Sequence, residues 1–213
     1  MKIFPLLGGQ FDCAPVYLPF DDDSELLRAE RMGECQIALQ AAIDRHLAEV
    51  GARWGISGYP EKRANLRGYA RITDYETPRP YHIGVDISVP AGTKVFAPLD
   101  GEVVISAHED GAGNYGGLIV LRHCAYGRVF YSVYGHMDAN SLAPCGEQIK
   151  AGELLGIVGN MQQNGDWWEH IHLQVLTEKG FNEGFAYDAL CTEEDFARIA
   201  ELCPNPAFLL AYQ

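Results

Sequence analysis

The first long stretch of the chain with regular apolar spacing predicts a helix. Between residues 23 and 50, apolar side chains recur in a broadly helical rhythm, and Asp21 to Ser24 offer several N-cap oxygens before them. Gly51 follows the last apolar position, as is common after a helix. We therefore predict a helix over about 23–50, with Gly33 as a point where it can kink, because an interior glycine costs about 1 kcal/mol relative to alanine.

The pattern changes twice after this helix. Residues 51–80 are rich in Gly, Pro and Arg without sustained periodicity, which predicts an irregular connection with one short strand near 69–72. From Tyr81 onward, short β-branched runs alternate with Gly, Pro and Asp turns, which is typical of an antiparallel sandwich or barrel. The predicted strands are His82–Val89, Lys94–Ala97, Gly101–Ala107, Leu118–His123, Val129–Tyr134, Leu154–Val158 and His170–Thr177.

The C-terminal tail again has helical spacing. Glu193 to Asp195 are acidic residues suited to a first helical turn, and Phe196, Ile199 and Leu202 follow at helical intervals before Pro204. The chain as a whole is therefore predicted to be mainly β (α+β), an antiparallel β sandwich or hybrid barrel with an N-terminal helix lobe and a C-terminal helix. The predicted division is an extension over 1–78, a β domain over 79–180 and a tail over 181–213.

Composition and charge exclude several classes of protein. With 213 residues, 47% hydrophobic and 21% charged, the chain can bury a full core and is neither disordered nor collagen-like. Sixteen Lys and Arg against 29 Asp and Glu give a formal charge of -13, which repels phosphate backbones and anionic membrane surfaces. We therefore expect no nucleic-acid partner, and no apolar run approaches the ~20 residues of a membrane span.

The N-terminus and the cysteines bear on location. Pro5 interrupts the short apolar run that follows Lys2, so no secretory leader is expected. The six cysteines are scattered and contain no CxxC, which favours free thiols over a disulfide framework. These features predict a cytoplasmic location.

The most informative chemistry lies at the start of the β region. In His82-Ile83-Gly84-Val85-Asp86, a strand would place positions 82, 84 and 86 on one face, with Gly84 leaving room for an ion between two ligand-type side chains. His170-Ile171-His172 would likewise present two imidazoles on one face of its own strand, and His136 is a further candidate. Two imidazoles and one carboxylate are a typical catalytic zinc set, here His82, Asp86 and either His170 or His172.

These residues stand in an order that resembles the lysostaphin-type zinc metallopeptidases, which cut peptide cross-links in bacterial cell walls. The resemblance covers about Arg79 to Thr177, roughly half the chain. After His-x-Gly-x-Asp, its motifs are Pro90-Ala91-Gly92-Thr93, Ala97-Pro98-Leu99-Asp100-Gly101, Gly113-Asn114-Tyr115-Gly116, His123, Tyr134-Gly135-His136, Ile149-Lys150-Ala151-Gly152 and His170-x-His172.

The resemblance implies specific roles. His82, Asp86 and His172 would bind Zn²⁺, while His136 and His170 would act as the base and the transition-state stabilisers. It implies a zinc-dependent endopeptidase that hydrolyses amide bonds in a cell-wall-type or related small peptide. Because the family is usually exported, a periplasmic or extracellular location is the alternative to the cytoplasm.

The segment before the second His pair departs from the family pattern. Where the family has a small Thr/Gly/Pro-rich segment and then Pro-His-x-His-Phe-Glu, this chain has Trp167-Trp168-Glu169 before the pair and Leu173-Gln174 after it. We expect Trp167 and Trp168 with Glu169 to make the groove wall bulkier and more acidic, which leaves the substrate open between cell-wall peptides and others.

Three other functions fit parts of the pattern. A non-haem iron(II) oxygenase uses the same 2-His-1-carboxylate set. A lipoyl- or biotinyl-type carrier has similar turns, but Lys150 lacks the context of a modified lysine. An inactive member that binds wall fragments is disfavoured because every expected catalytic position is filled.

His123 could equally form a structural hydrogen bond, and we leave it outside the predicted site.

Overall fold

The computed structural model describes residues 3–11, 13–21, 24, 36–63, 78–125 and 127–210. The predicted strand near 69–72 and the kink at Gly33 lie outside these residues. Within them the chain forms thirteen strands: β1 Val16–Tyr17, β2 Gly55–Ile56, β3 Glu61–Lys62, β4 Tyr81–His82, β5 Val85–Ser88, β6 Lys94–Phe96, β7 Gly101–Glu109, β8 Gly116–Ala125, β9 Arg128–Met137, β10 Gln148–Ile149, β11 Leu154–Ile157, β12 His170–Thr177 and β13 Leu190–Cys191.

Eight strands build one large sheet in the order β1-β2-β5-β12-β9-β8-β7-β10. All of its pairings are antiparallel except that between β1 and β2. A two-stranded sheet joins β6 to β11, and a three-stranded sheet has the order β13-β4-β3. The mainly β prediction is confirmed, and the described strands form open sheets rather than a closed barrel.

The sheet alternates its side chains between two cores. On β8, Ile119 and Leu121 enter the core that also contains residues of β6 and β11, whereas Leu118 and Val120 enter the core shared with the C-terminal segments. This alternation follows from the pleat, which turns successive side chains to opposite faces. The predicted apolar backing of the second His pair, Ile171, Leu173 and Val175, lies in the first of these cores.

Helices pack against two of the cores. Helix α1, Gln36–Val50, ends where predicted, and Gly51 follows with a left-handed φ of 69° that glycine adopts without a steric penalty. Leu39, Ala42 and Ile43 of α1 pack against Trp167 and Trp168 in a third core. The tail contains short helices α2 Glu178–Asn182, α3 Glu193–Phe196 and α4 Ile199–Leu202, so the predicted C-terminal helix is broken into two pieces at residues 197–198.

Two sequence predictions about backbone are wrong in detail. The single strand predicted over 82–89 is divided into β4 and β5, which belong to different sheets. The connection over 51–80 is not wholly irregular, because β2 pairs with β5 and β3 pairs with β4. The three-part domain division remains a prediction. None of the helices in the described ranges combines the length and apolar character needed to cross a membrane.

Candidate metal centre

Strand register brings Asp86 and His172 side by side. β12 lies between β5 and β9, and its residue His172 stands directly opposite Asp86 on one side and Gly135 on the other. Residues opposite each other in an antiparallel pair have Cβ atoms about 4.5–5.5 Å apart on the same face. The carboxylate and the imidazole are therefore held together by main-chain pairing.

His82 completes a cluster of three ligand-type atoms. Its Nε2 lies 3.0 Å from His172 Nδ1 and 3.3 Å from Asp86 Oδ1, and the last two atoms are 3.2 Å apart. Zinc binds such atoms at about 2.0–2.2 Å in a tetrahedron, whose edges are then about 3.3–3.6 Å. All three residues are buried, and the triangle fits three ligands of one metal ion.

Asp86 is held as a carboxylate with its two oxygens in different roles. Oδ1 faces the imidazoles, and Oδ2 accepts a 2.6 Å hydrogen bond from Arg63 Nη1. Burial by itself would raise the pKa of Asp86, but His82 and Arg63 outweigh burial and hold that pKa well below its usual range. Asp86 is therefore an anion, as a metal ligand must be.

Gln174 orients the ring of His172. The amide Nε2 of Gln174 donates to the carbonyl oxygen of Phe185 at 3.1 Å, so its Oε1 is turned toward His172 Nε2 at 2.9 Å. An amide oxygen only accepts, which places the imidazole proton on Nε2 and leaves the Nδ1 lone pair directed at the cluster. Gln174 was not predicted, although it follows His170 and His172 at the same two-residue spacing.

Gly84 leaves space for the His172 ring, and not for an ion as expected. A Cβ on Gly84 would lie 2.6 Å from His172 Nε2 and 2.8 Å from the carbonyl oxygen of Leu173. Side chains do not approach so closely, so only glycine allows β12 to pack here. The expectation failed because β4 and β5 do not form the one continuous strand face on which it rested.

His170 stands beside the cluster in a fixed orientation. Its Nδ1 donates to the carbonyl oxygen of Trp168 at 2.7 Å, and its ring stacks on Trp168 with centroids 3.9 Å apart. Nε2 then lies 3.6 Å from Asp86 Oδ1. Burial lowers the pKa of His170 to about 4, so its neutral form prevails at neutral pH.

His136 is the second imidazole beside the cluster. Its ring centroid is 4.3 Å from that of His170 and 6.3 Å from that of His172. Its Nδ1 donates to the carbonyl oxygen of Asn164 at 2.9 Å, which leaves the Nε2 lone pair available. Burial and the neighbouring imidazoles hold the pKa of His136 well below its usual value, and its φ of 65° is unusual for a residue other than glycine.

These groups lie in a cleft of about 410 Å³. Its lining also includes Glu109, Asn114, Tyr115, Trp167, Trp168, Tyr187 and Asp188. Both tryptophans are buried and belong to the core under α1, so they form a rigid wall. Glu169 is absent from the described lining and accepts a hydrogen bond from Ala91 N at 2.7 Å, so the expected acidic contribution from Glu169 is wrong.

The structure thus brings together all five predicted site residues: His82, Asp86, His136, His170 and His172. It resolves the choice left by spacing, since it is His172 that shares the three-atom cluster with His82 and Asp86 while His170 stands beside it. His123 lies elsewhere, with Nδ1 donating to the carbonyl oxygen of Asp100 at 2.8 Å and Nε2 accepting from Ser132 Oγ at 2.7 Å. It is a structural histidine.

Comparison with known proteins gives a family for this region. Residues 80–183 match Peptidase family M23. An uncharacterized metalloprotease of Haemophilus influenzae is 36% identical over 148 residues, which are 64% of this chain and 29% of that protein. The peptidoglycan DD-endopeptidase ShyA of Vibrio cholerae is 30% identical over 139 residues, which are 65% of this chain and 28% of that protein.

Among solved structures, a zinc-containing peptidase from Vibrio cholerae is 27% identical with a TM-score of 0.39, covering 46% of this chain and 28% of that one. The matched part of this chain spans less than a third of the length of the metalloprotease and of ShyA. The predicted family resemblance is confirmed by the family match over residues 80–183.

Proposed function

We propose that the chain is a zinc-dependent endopeptidase that hydrolyses amide bonds in cell-wall peptides, in keeping with the match of residues 80–183 to Peptidase family M23. The observation that carries this proposal is the buried triangle of His82 Nε2, Asp86 Oδ1 and His172 Nδ1, with edges of 3.0–3.3 Å. Two neutral imidazoles stand directly beside it. A structural role alone would not require two further histidines buried against these three groups.

The donor set suits zinc. Two imidazole nitrogens and one carboxylate oxygen form a common catalytic zinc site, with a remaining position for water. When bound, zinc supplies a Lewis acid that polarises a carbonyl and lowers the pKa of water to about 7. His82, Asp86 and His172 would hold it, and Arg63 and Gln174 keep two of these ligands in place.

His136 and His170 would move protons. In each ring the Nδ1–H donates a hydrogen bond to a backbone carbonyl oxygen, which leaves a lone pair on Nε2. One of them accepts a proton from the attacking water, and the resulting imidazolium then stabilises the oxyanion or protonates the leaving amine. Because burial keeps both rings neutral in the resting site, each is available as a base at neutral pH.

The cell-wall substrate is supported by the relative named as a peptidoglycan DD-endopeptidase. The cleft supplies an aromatic wall from Trp167 and carboxylates from Glu109 and Asp188. Such a lining can contact a short peptide that combines apolar and amino groups. The iron(II) oxygenase alternative is not favoured by any feature of this cleft.

The test compares cleavage with metal content. Purified chain is incubated with cross-linked cell-wall peptides and, in parallel, with unrelated cytosolic peptides, and fragments are identified by mass spectrometry. We expect new amino termini in the first set. His136→Ala and His170→Ala should lower kcat by about 10²–10⁴-fold while still binding zinc, and His46→Ala, outside the described cleft lining, should cleave normally. Zinc-loaded protein that releases no fragment from the cell-wall peptides would contradict the proposal, and cleavage of the cytosolic set alone would contradict its substrate.

A further inference from the structure

Arg63 reaches the metal centre from outside the matched family domain. It follows β3, in a segment that precedes residue 80 by seventeen positions. Despite its charge it is only 4% exposed, and it lines the cleft together with Asp86 and His82. A guanidinium buried to this extent is costly unless it is fully paired, so its partners indicate what it does.

The guanidinium is shared between two carboxylates. Nη1 donates to Asp86 Oδ2 at 2.6 Å, while Nε and Nη2 donate to Glu61 Oε2 at 3.0 and 2.6 Å. Glu61 is itself fixed, since its Oε1 accepts from the backbone amides of Gly58 at 2.8 Å and Phe20 at 3.3 Å. Glu61, Arg63 and Asp86 therefore form a chain of alternating charges, in which Glu61, the residue farthest from the metal centre, is fixed by backbone amides.

The segment that carries Glu61 and Arg63 also hydrogen-bonds the main chain of Asp86. Ser57 Oγ accepts from Asp86 N at 2.8 Å, and Ser57 N donates to the carbonyl oxygen of Asp86 at 2.9 Å. Residues 57–63 thus fix both the backbone and the side chain of this one ligand. Its Oδ2 is occupied by Arg63, which leaves only Oδ1 to face His82 and His172.

We propose that Arg63 is a positioning residue of the metal centre, which holds Asp86 as a one-oxygen ligand with Glu61 as its anchor. The inference rests on the proposed metal site. It means that the functional centre includes residues 57–63 as well as the family domain. Glu61 also balances the positive charge of the Arg63 guanidinium, which reduces the repulsion between that guanidinium and a metal ion bound by Asp86.

Lysine should not replace arginine here. Arg63 contacts its two carboxylates with different nitrogens of one planar fork, whereas a lysine ammonium is a single point of charge on a flexible stem. Partners of metal ligands typically change metal affinity by 10–100-fold when removed. We expect Arg63→Lys to weaken zinc binding by about 10-fold, and Arg63→Met with Glu61→Gln by up to about 100-fold.

The experiment measures zinc affinity and metal geometry without using substrate. The dissociation constant for Zn²⁺ is obtained by competition with a chromophoric chelator, and the absorption spectrum of the Co²⁺-loaded protein reports the coordination geometry. The double variant avoids leaving Glu61 buried without its partner, and circular dichroism verifies folding. Arg198→Met is the matched control, because Arg198 also pairs with two carboxylates, those of Glu183 and Asp195, but through partly exposed side chains outside the described cleft lining.

The proposal predicts weaker zinc binding and an altered Co²⁺ spectrum in both Arg63 variants, with neither change in Arg198→Met. A folded Arg63→Lys or double variant that binds zinc as tightly as the unmodified chain, or more tightly, with the same Co²⁺ spectrum would overturn it. Failure of both Arg63 variants to fold would also overturn it, because Arg63 would then be required for the fold. If the unmodified chain binds no zinc, the proposed function itself fails, which separates the two conclusions.

Discussion

The replacement Gly84→Ala tests the packing that places His172. The added Cβ would lie 2.6 Å from His172 Nε2 and closer still to Cε1, and ordinary contact begins at 3.4 Å, so the ring would have to move by at least about 0.8 Å. Metal–ligand distances tolerate only about ±0.2 Å. Moving the ring alone would not relieve the clash, because the same Cβ would lie 2.8 Å from the carbonyl oxygen of Leu173, so the backbone of β12 would also have to shift.

We therefore expect Gly84→Ala to lower zinc affinity by at least 10-fold and the free energy of unfolding by about 1–3 kcal/mol, as for other overpacked sites. The first is measured by chelator competition and the second by urea titration of the metal-free protein. Gly9→Ala is the control, since no described atom lies within 4 Å of the Cβ it would add. Unchanged zinc affinity in a folded Gly84→Ala protein would refute the placement of His172.

Three further predictions concern single contacts. Gln174→Leu should weaken zinc binding 10–100-fold because His172 loses the acceptor that fixes its tautomer. Gln174→Glu keeps that acceptor but loses the donor to the carbonyl oxygen of Phe185, so in the same competition assay it should bind zinc more tightly than Gln174→Leu. Burial lowers the pKa of His123, so below pH 6.5 the unfolded chain takes up a proton at this residue before the folded protein does, and stability falls as the pH falls. In urea titrations at several pH values, His123→Gln should therefore reduce the pH dependence of the unfolding free energy by up to about 1.4 kcal/mol per pH unit. An unchanged pH dependence would contradict this prediction. Ile171→Ala should cost about 2–5 kcal/mol of unfolding free energy in the same titration, because Ile171 is fully buried; a loss below 1 kcal/mol would contradict its core position.

Local periodicity predicted much of this fold. β12 has the predicted bounds, and the alternation on it correctly separates His170 and His172 from the apolar residues Ile171 and Leu173. The same rule failed between residues 82 and 86, where the chain leaves one sheet and enters another. His82 and Asp86 still meet there, because β5 pairs with β12 and the side chain of His82 reaches His172 from the other sheet.

The residues that support the site could be predicted only in part. Gln174 continues the two-residue spacing of the His pair, so the sequence contained a signal for it. Arg63 and Glu61 precede Asp86 by more than twenty residues in a segment without periodicity, and only the pairing of β3 with β4 brings them to the site. Likewise, Gln40 of α1 accepts from Glu169 N across 129 positions, a contact that local sequence cannot indicate.

Zinc content tests the central claim most directly, which is that His82, Asp86 and His172 hold one metal ion. After loading with Zn²⁺ and dialysis, elemental analysis should give one zinc per chain for the unmodified protein and for His123→Gln. His172→Ala should give none. An unmodified chain that retains no zinc, or a folded His172→Ala variant that still retains one equivalent, would contradict the account.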